Sequence, residues 1–241
     1  MTLDTYRLFS IGLRLCHWIW ALCIVVLFLT GIYIGNPMFI GTQGKEPTVA
    51  VVSLLSMEVI RQVHFTAGFV FCACVLLRFY LFFTYRGNRL YPNFLSRAYW
   101  QSVGEMLAYY TLLRTRHRLY LRNPLAATVY VVVYILMVLE AISGLAMYSM
   151  IEPNSLMAAV FGPVHHLLGN EYNTHFVHHV IAWGFMIFLL THIYMVVFND
   201  ITEKSGELSS IVSGRKHFAE TPVDVGSFMP ESTTACRQRK L

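Results

Sequence analysis

The sequence predicts an all-α integral membrane protein: a four-helix transmembrane bundle, N-in and C-in. Three observations carry this. The first is composition: of 241 residues, 56% are hydrophobic and only 13% charged, with a mean hydropathy of +0.54, whereas soluble domains carry about 25% charged residues. The second is length: four apolar runs, 17–35, 63–83, 124–150 and 178–198, meet the roughly 20 residues needed to cross a bilayer. The third is the placement of Lys and Arg. The connection between the second and third spans holds Arg86, Arg89, Arg97, Arg114, Arg116, Arg118 and Arg122, the first connection only Lys45 and Arg61, and the last neither. By the positive-inside rule the Arg-rich connection and both termini are cytoplasmic. Residues 1–198 therefore read as one transmembrane domain and 199–241 as a cytoplasmic tail.

The elements follow in order. The first run stands behind Arg7 and Arg14 like a signal peptide, but it is too long and lacks a small-residue cleavage site, so it is read as a retained span. Residues 36–47, rich in Gly and Pro, are expected to form a periplasmic loop. In the Arg-rich connection, 96–113 mixes Tyr99, Trp100, Leu107, Tyr109 and Tyr110 with Gln101 and Glu105, and suits a helix lying in the membrane interface. A second periplasmic loop, 150–174, contains Pro153, Pro163 and Gly169. The tail turns polar and ends in Arg237, Arg239 and Lys240. No internal repeat is visible. The net charge of +5 lies in loops and leaves no nucleic-acid footprint, so the partners are lipid and protein. Cys16, Cys23, Cys72, Cys74 and Cys236 lack iron–sulfur spacing and read as free thiols.

The histidines carry the chemistry. His178 and His192 lie 14 residues apart in the last span. At about 100° and 1.5 Å per residue they share a face, roughly 40° short of four turns, and stand about 21 Å apart in depth. On the predicted topology His17 opens the first span at the level of His192, and His64 opens the second at the level of His178. Two cross-helix pairs result, His17 with His192 and His64 with His178. Facing imidazoles inside a helical bundle suit six-coordinate haem iron, whose equatorial positions the porphyrin fills. With no vacancy for a substrate, two such haems b transfer electrons.

Gly31, Gly68 and Gly144 lie on or near these faces and leave room for a porphyrin or, equally, for close helix packing. Arg78, on the His64 face near the cytoplasmic level, either meets a haem propionate or snorkels to the interface. His165, His166, His175 and His179 are expected at the surface or interface, with a periplasmic zinc site as the alternative; His117 and His217 are expected to be solvated. Asn123, ahead of Pro124, either caps the third span or turns toward a ligand. Glu140, an acid inside the third span, is either a bundle hydrogen bonder or a proton or propionate contact.

The stretches Arg14-Leu15-Cys16-His17-Trp18, Arg61 to Gly68, Asn123-Pro124, Ser143 to Tyr148, His178 to Met195 and Ser213 to Phe218 resemble the b-type cytochrome subunit of membrane-bound nickel–iron hydrogenases. The histidine pattern is shared with formate dehydrogenase gamma subunits. The resemblance implies a multi-pass protein of the bacterial inner membrane, not an enzyme on its own. Its partners would be a periplasmic nickel–iron large subunit and an iron–sulfur small subunit. Electrons from hydrogen would enter at the periplasmic haem, cross to the cytoplasmic haem and reduce quinone, for which Asn123, Arg78 and His192 are the candidate residues. A free-standing cytochrome b561-like transmembrane reductase and a haem-free four-helix transporter are the readings from other classes.

Overall fold

A computed structural model describes residues 4–35, 56–84 and 92–225. The order of elements is β1 (Asp4–Arg7), α1 (Ile11–Gly35), α2 (Met57–Thr84), α3 (Arg97–Tyr110), α4 (Pro124–Ser149), α5 (Leu156–Phe161), α6 (Pro163–Leu167), α7 (Glu171–Glu203), α8 (Glu207–Ser213) and β2 (Arg215–Phe218). The four expected spans are α1, α2, α4 and α7, each long and apolar enough to cross a membrane. α1, α2 and α7 start one to two turns earlier than the apolar runs, because helix continues through polar residues such as Arg14, Arg61 and Glu171. The expected loop over 36–47 and the residues Lys45, Arg86, Arg89, Cys236, Arg237, Arg239 and Lys240 lie outside the described residues.

The chain divides into two units. The first comprises Met1–Arg14, Tyr80–Ile135 and Leu190–Leu241. Here the all-α expectation needs correction: β1 and β2 pair antiparallel, Asp4 opposite Phe218 and Arg7 opposite Arg215. Neither strand alternates cleanly enough over four residues to read as a strand by itself; the pairing is stabilised by burial of Tyr6, Leu8, Leu121 and Phe218 in one cluster. Leu8 N–H donates to the Gly214 carbonyl at 2.9 Å. Gly214 has φ of +78°, and a Cβ there would meet the Phe9 carbonyl oxygen at 2.8 Å, so only glycine fits. The Arg14 guanidinium donates to the Val212 carbonyl, and Asp224 accepts from the backbone of Leu121 and Arg122 at 2.6 and 3.0 Å.

In the same unit α3 is the expected amphipathic helix and buries Val103 and Met106. Arg118 clamps Glu105 through Nε and Nη2 at 2.9 and 2.7 Å. Burial works to raise the Glu105 carboxyl, but the Arg118 hydrogen bonds and the charges of Arg118 and Arg114 outweigh it and hold it below the usual range. His117 and His217 are not simply solvated. His117 Nε2 lies 3.1 Å from Glu203 Oε1 with both side chains largely buried, and His217 Nδ1 bonds the Thr5 hydroxyl at 2.9 Å across the sheet.

The second unit comprises Leu15–Phe79 and Leu136–Leu189. It holds most of α1 and α2, the second half of α4, the first half of α7, and the short helices α5 and α6. One loop histidine departs from its expected surface role. His165 is buried, with Nδ1 at 2.9 Å from the Thr174 hydroxyl and Nε2 at 3.1 Å from the Ala146 carbonyl. It ties α6 to α4 and α7, and no sequence period marks such a tie. Among the described residues no group of three or more His, Cys, Asp or Glu side chains is placed to hold a metal ion, so the zinc alternative gains no support.

Candidate functional site

A cavity of about 560 Å³ lies within the second unit, walled by α1, α2, α4 and α7. That is the size of a small-molecule or cofactor site. His64 from α2 and His178 from α7 both line it. Each imidazole is fixed by a hydroxyl on the helix that precedes its own in the wall. The Thr30 hydroxyl donates to the Val26 carbonyl at 2.7 Å and so accepts from His64 Nδ1 at 2.8 Å. The Ser143 hydroxyl donates to the Glu140 carbonyl at 3.1 Å and accepts from His178 Nδ1 at 3.0 Å. A hydroxyl has one proton, so these chains assign Nδ1–H to both rings and leave each Nε2 lone pair available.

Glycines back both rings. A Cβ on Gly31 would lie 3.4 Å from His64 Cε1, and one on Gly144 3.3 Å from His178 Cε1. The sequence left these glycines between porphyrin space and helix packing. Their nearest neighbour is the flank of a histidine ring, an ordinary contact for a Cβ at Gly31 and a slightly tight one at Gly144. Gly68 differs: a Cβ there would meet only Leu27 at 3.9 Å, an ordinary contact, so its opening is onto the cavity. Glu140 also lines the cavity, with Oε1 3.4 Å from His178 Nε2 and no hydrogen-bond partner for Oε2 among the described residues.

The remaining candidates are not among the residues that line this cavity. His17 lies in the second unit with its ring edge-on to Trp18 at 5.4 Å. Arg78 is buried on α2. His192 belongs to the first unit, its ring 6.5 Å from that of Tyr130. Asn123 caps α4: its Oδ1 accepts from Leu125 and Ala126 N–H at 3.0 and 3.2 Å. Its Nδ2 also donates to the Tyr110 hydroxyl at 2.6 Å, and that hydroxyl donates to Asn199 Oδ1 at 3.1 Å. Burial is the main cause that pushes the Tyr110 phenol up to about 12.

Residues 8–214 match the family described as prokaryotic cytochrome b561. The chain belongs to this family. Among its relatives, the probable Ni/Fe-hydrogenase B-type cytochrome subunit of Cupriavidus necator is 34% identical over 86% of this chain and 85% of its own length. The protein of that name from Bradyrhizobium diazoefficiens is 30% identical over 90% and 87%. The probable Ni/Fe-hydrogenase 1 B-type cytochrome subunit of Escherichia coli is 29% identical over 88% and 92%.

For a cytochrome b561 chain the cavity fits haem b on its own geometry. It offers two imidazoles with Nδ1–H groups anchored as ligating histidines usually are, and apolar walls from Leu27, Phe71 and Phe185. Thr30 and Ser143 were not singled out from sequence. Their signal was there as a Thr-Gly and a Ser-Gly dipeptide, each hydroxyl residue 34 or 35 positions ahead of its histidine.

Proposed function

We propose that the chain is the membrane-anchoring dihaem cytochrome b subunit of a periplasm-facing nickel–iron hydrogenase, carrying electrons from hydrogen to quinone. The observation that carries this reading is the pair His64 and His178, each fixed at Nδ1 and backed by glycine on one cavity. His64 and His178 are the axial ligands at that site. His17 and His192 are the ligands of a second haem by their sequence spacing, which repeats the first pair at the other depth. When bound, haem supplies a one-electron iron couple. The protein's part is to hold the imidazoles in one orientation, so that electron gain and loss need little rearrangement, and to keep water from the apolar walls. The likeness to hydrogenase cytochrome subunits supports a nickel–iron large subunit and an iron–sulfur small subunit as partners, and the Arg-rich connection supports N-in, C-in placement in the bacterial inner membrane.

Reduced-minus-oxidised spectra of single variants test the reading. His64→Ala removes one b-type component and His17→Ala the other. Depletion of the same component by both would overturn the pairing. Co-purification of the two hydrogenase subunits separates this reading from a formate dehydrogenase gamma subunit and from a free-standing reductase.

A further inference from the structure

The cavity is polarised along its length. α1 and α4 run toward one end and α2 and α7 run away from it, as the contacts of Gly31 with His64, Gly35 with His179 and Gly144 with His178 show. At that end, one turn beyond the two ligating histidines, stand Arg61 on α2 and His175 on α7, with His179 next to His178. At the opposite end the wall is Ile24, Leu27, Phe71 and Phe185, while the Glu140 carboxylate stands at the level of His178, 3.4 Å from its Nε2. Basic groups therefore gather at one mouth, and the far wall offers hydrocarbon in their place.

Haem has the same polarity: two carboxylates on one edge and hydrocarbon on the other. Resting on the reading of His64 and His178 as its ligands, we infer that haem sits here with its propionates toward Arg61 and His175, and that Arg61 is the cation that pairs with them. The reverse orientation would place two carboxylates among Leu27, Phe71 and Phe185, where desolvation opposes them. Arg61 suits the task. Its guanidinium is always charged and matches a carboxylate with two parallel N–H donors. His175 is held in place by its neighbour: His179 Nδ1 donates to the His175 carbonyl at 2.8 Å, and the two rings stack at 5.6 Å. His179 in turn closes on α1 because residue 35 is glycine, where a Cβ would come within 3.2 Å of its Nε2. The propionate edge then faces the loop end of the cavity, on the side from which a partner would deliver electrons.

The test is a potentiometric titration of the assembled complex in membranes, followed at the b-type bands. A cation beside the propionates favours the reduced haem, which carries one more electron. Arg61→Gln should therefore shift the component that His64→Ala abolishes toward the oxidised form. The expected shift is up to tenfold in the redox equilibrium, about 59 mV for one electron. Arg61→Lys should recover most of it, and the component abolished by His17→Ala should not move. An unchanged potential in Arg61→Gln with haem retained overturns the inference. If Arg61→Gln loses that haem, retention in Arg61→Lys upholds the charge pairing and equal loss in both overturns it. If His64→Ala leaves both components intact, the ligand reading itself fails, an outcome read independently of Arg61.

Discussion

Thr30→Val tests the histidine clamp with almost no change of shape. It removes the hydroxyl that accepts from His64 Nδ1 at 2.8 Å and leaves the β-branched stem in place. The half-buried Nδ1–H then loses its hydroxyl partner and keeps the Leu27 carbonyl, at a cost of about 0.5–1.5 kcal/mol. At about 1.4 kcal/mol per decade that is roughly 2- to 12-fold in affinity, reaching the low end of the loss of about 10–100-fold usual when a ligating histidine loses its outer partner. Haem titration into haem-depleted membranes, scored by the His64-dependent b-type band, should show weaker binding in that range. Thr30→Ser keeps the hydroxyl and should bind nearly as the parent chain does. Ser143→Ala makes the same test of His178. Wild-type occupancy and an unshifted reduction potential in Thr30→Val would refute the clamp, because a free imidazole would then serve equally well.

Three further outcomes are expected. Gly144→Ala sets a Cβ about 3.3 Å from His178 Cε1, so the ring yields slightly and the haem band sharpens or shifts, whereas Gly144→Val empties the site; full occupancy in the valine variant would contradict the packing. The Glu203 hydrogen bond holds His117 above its ordinary 6.5, so its stabilising effect is full below that pH and is lost as pH rises through the raised value. The difference in thermal midpoint between the parent and His117→Gln should be largest below pH 6.5 and fade under alkaline conditions; a difference that grows with pH would refute the tie. Asn123→Ala removes the α4 cap at a cost of about 1 kcal/mol and is expected to keep both haems while losing most quinone reduction. Asn123→Ser restores the cap better than the activity, and unchanged quinone turnover in Asn123→Ala would leave Asn123 as a cap alone.

The four spans were legible because membrane crossing imposes one requirement, length at low polarity, that a linear sequence records directly. Their true starts were not, since Arg14, Arg61 and Glu171 break the apolar run without breaking the helix. His64 and His178 were found by depth and face, both simple functions of residue number. The partners of their Nδ1 atoms were not, because Thr30 and Ser143 look like the ordinary small polar residues of membrane helices. The β1–β2 pair escaped for a related reason. Its register joins residues some two hundred positions apart, and four-residue strands carry no reliable period. His117 and His217 were expected to be solvated and His165 to lie at the surface or interface, because nothing in their sequence neighbourhood marks a buried partner. The hydrogen bonds that bury His117 and His165 come from elements that only folding brings near.

The clamp of Thr30-Gly31 on His64 recurs as Ser143-Gly144 on His178, with hydroxyl-to-nitrogen distances of 2.8 and 3.0 Å and glycine-to-ring distances of 3.4 and 3.3 Å. The two copies use different helix pairs, α1 with α2 and α4 with α7. Each imidazole is thus held by its own pair and not by the opposite ligand, so loosening one ligand leaves the other oriented. That independence suits a carrier whose iron alternates between two charges, because neither ring depends on the iron's oxidation state for its position. The equivalence ends at Glu140, which stands 3.4 Å from His178 Nε2. Position 27, three residues ahead of Thr30 as Glu140 is of Ser143, holds the hydrocarbon of Leu27. Two matched clamps fix the two imidazoles alike, and the single acid beside His178 makes the two sides of the cavity chemically distinct.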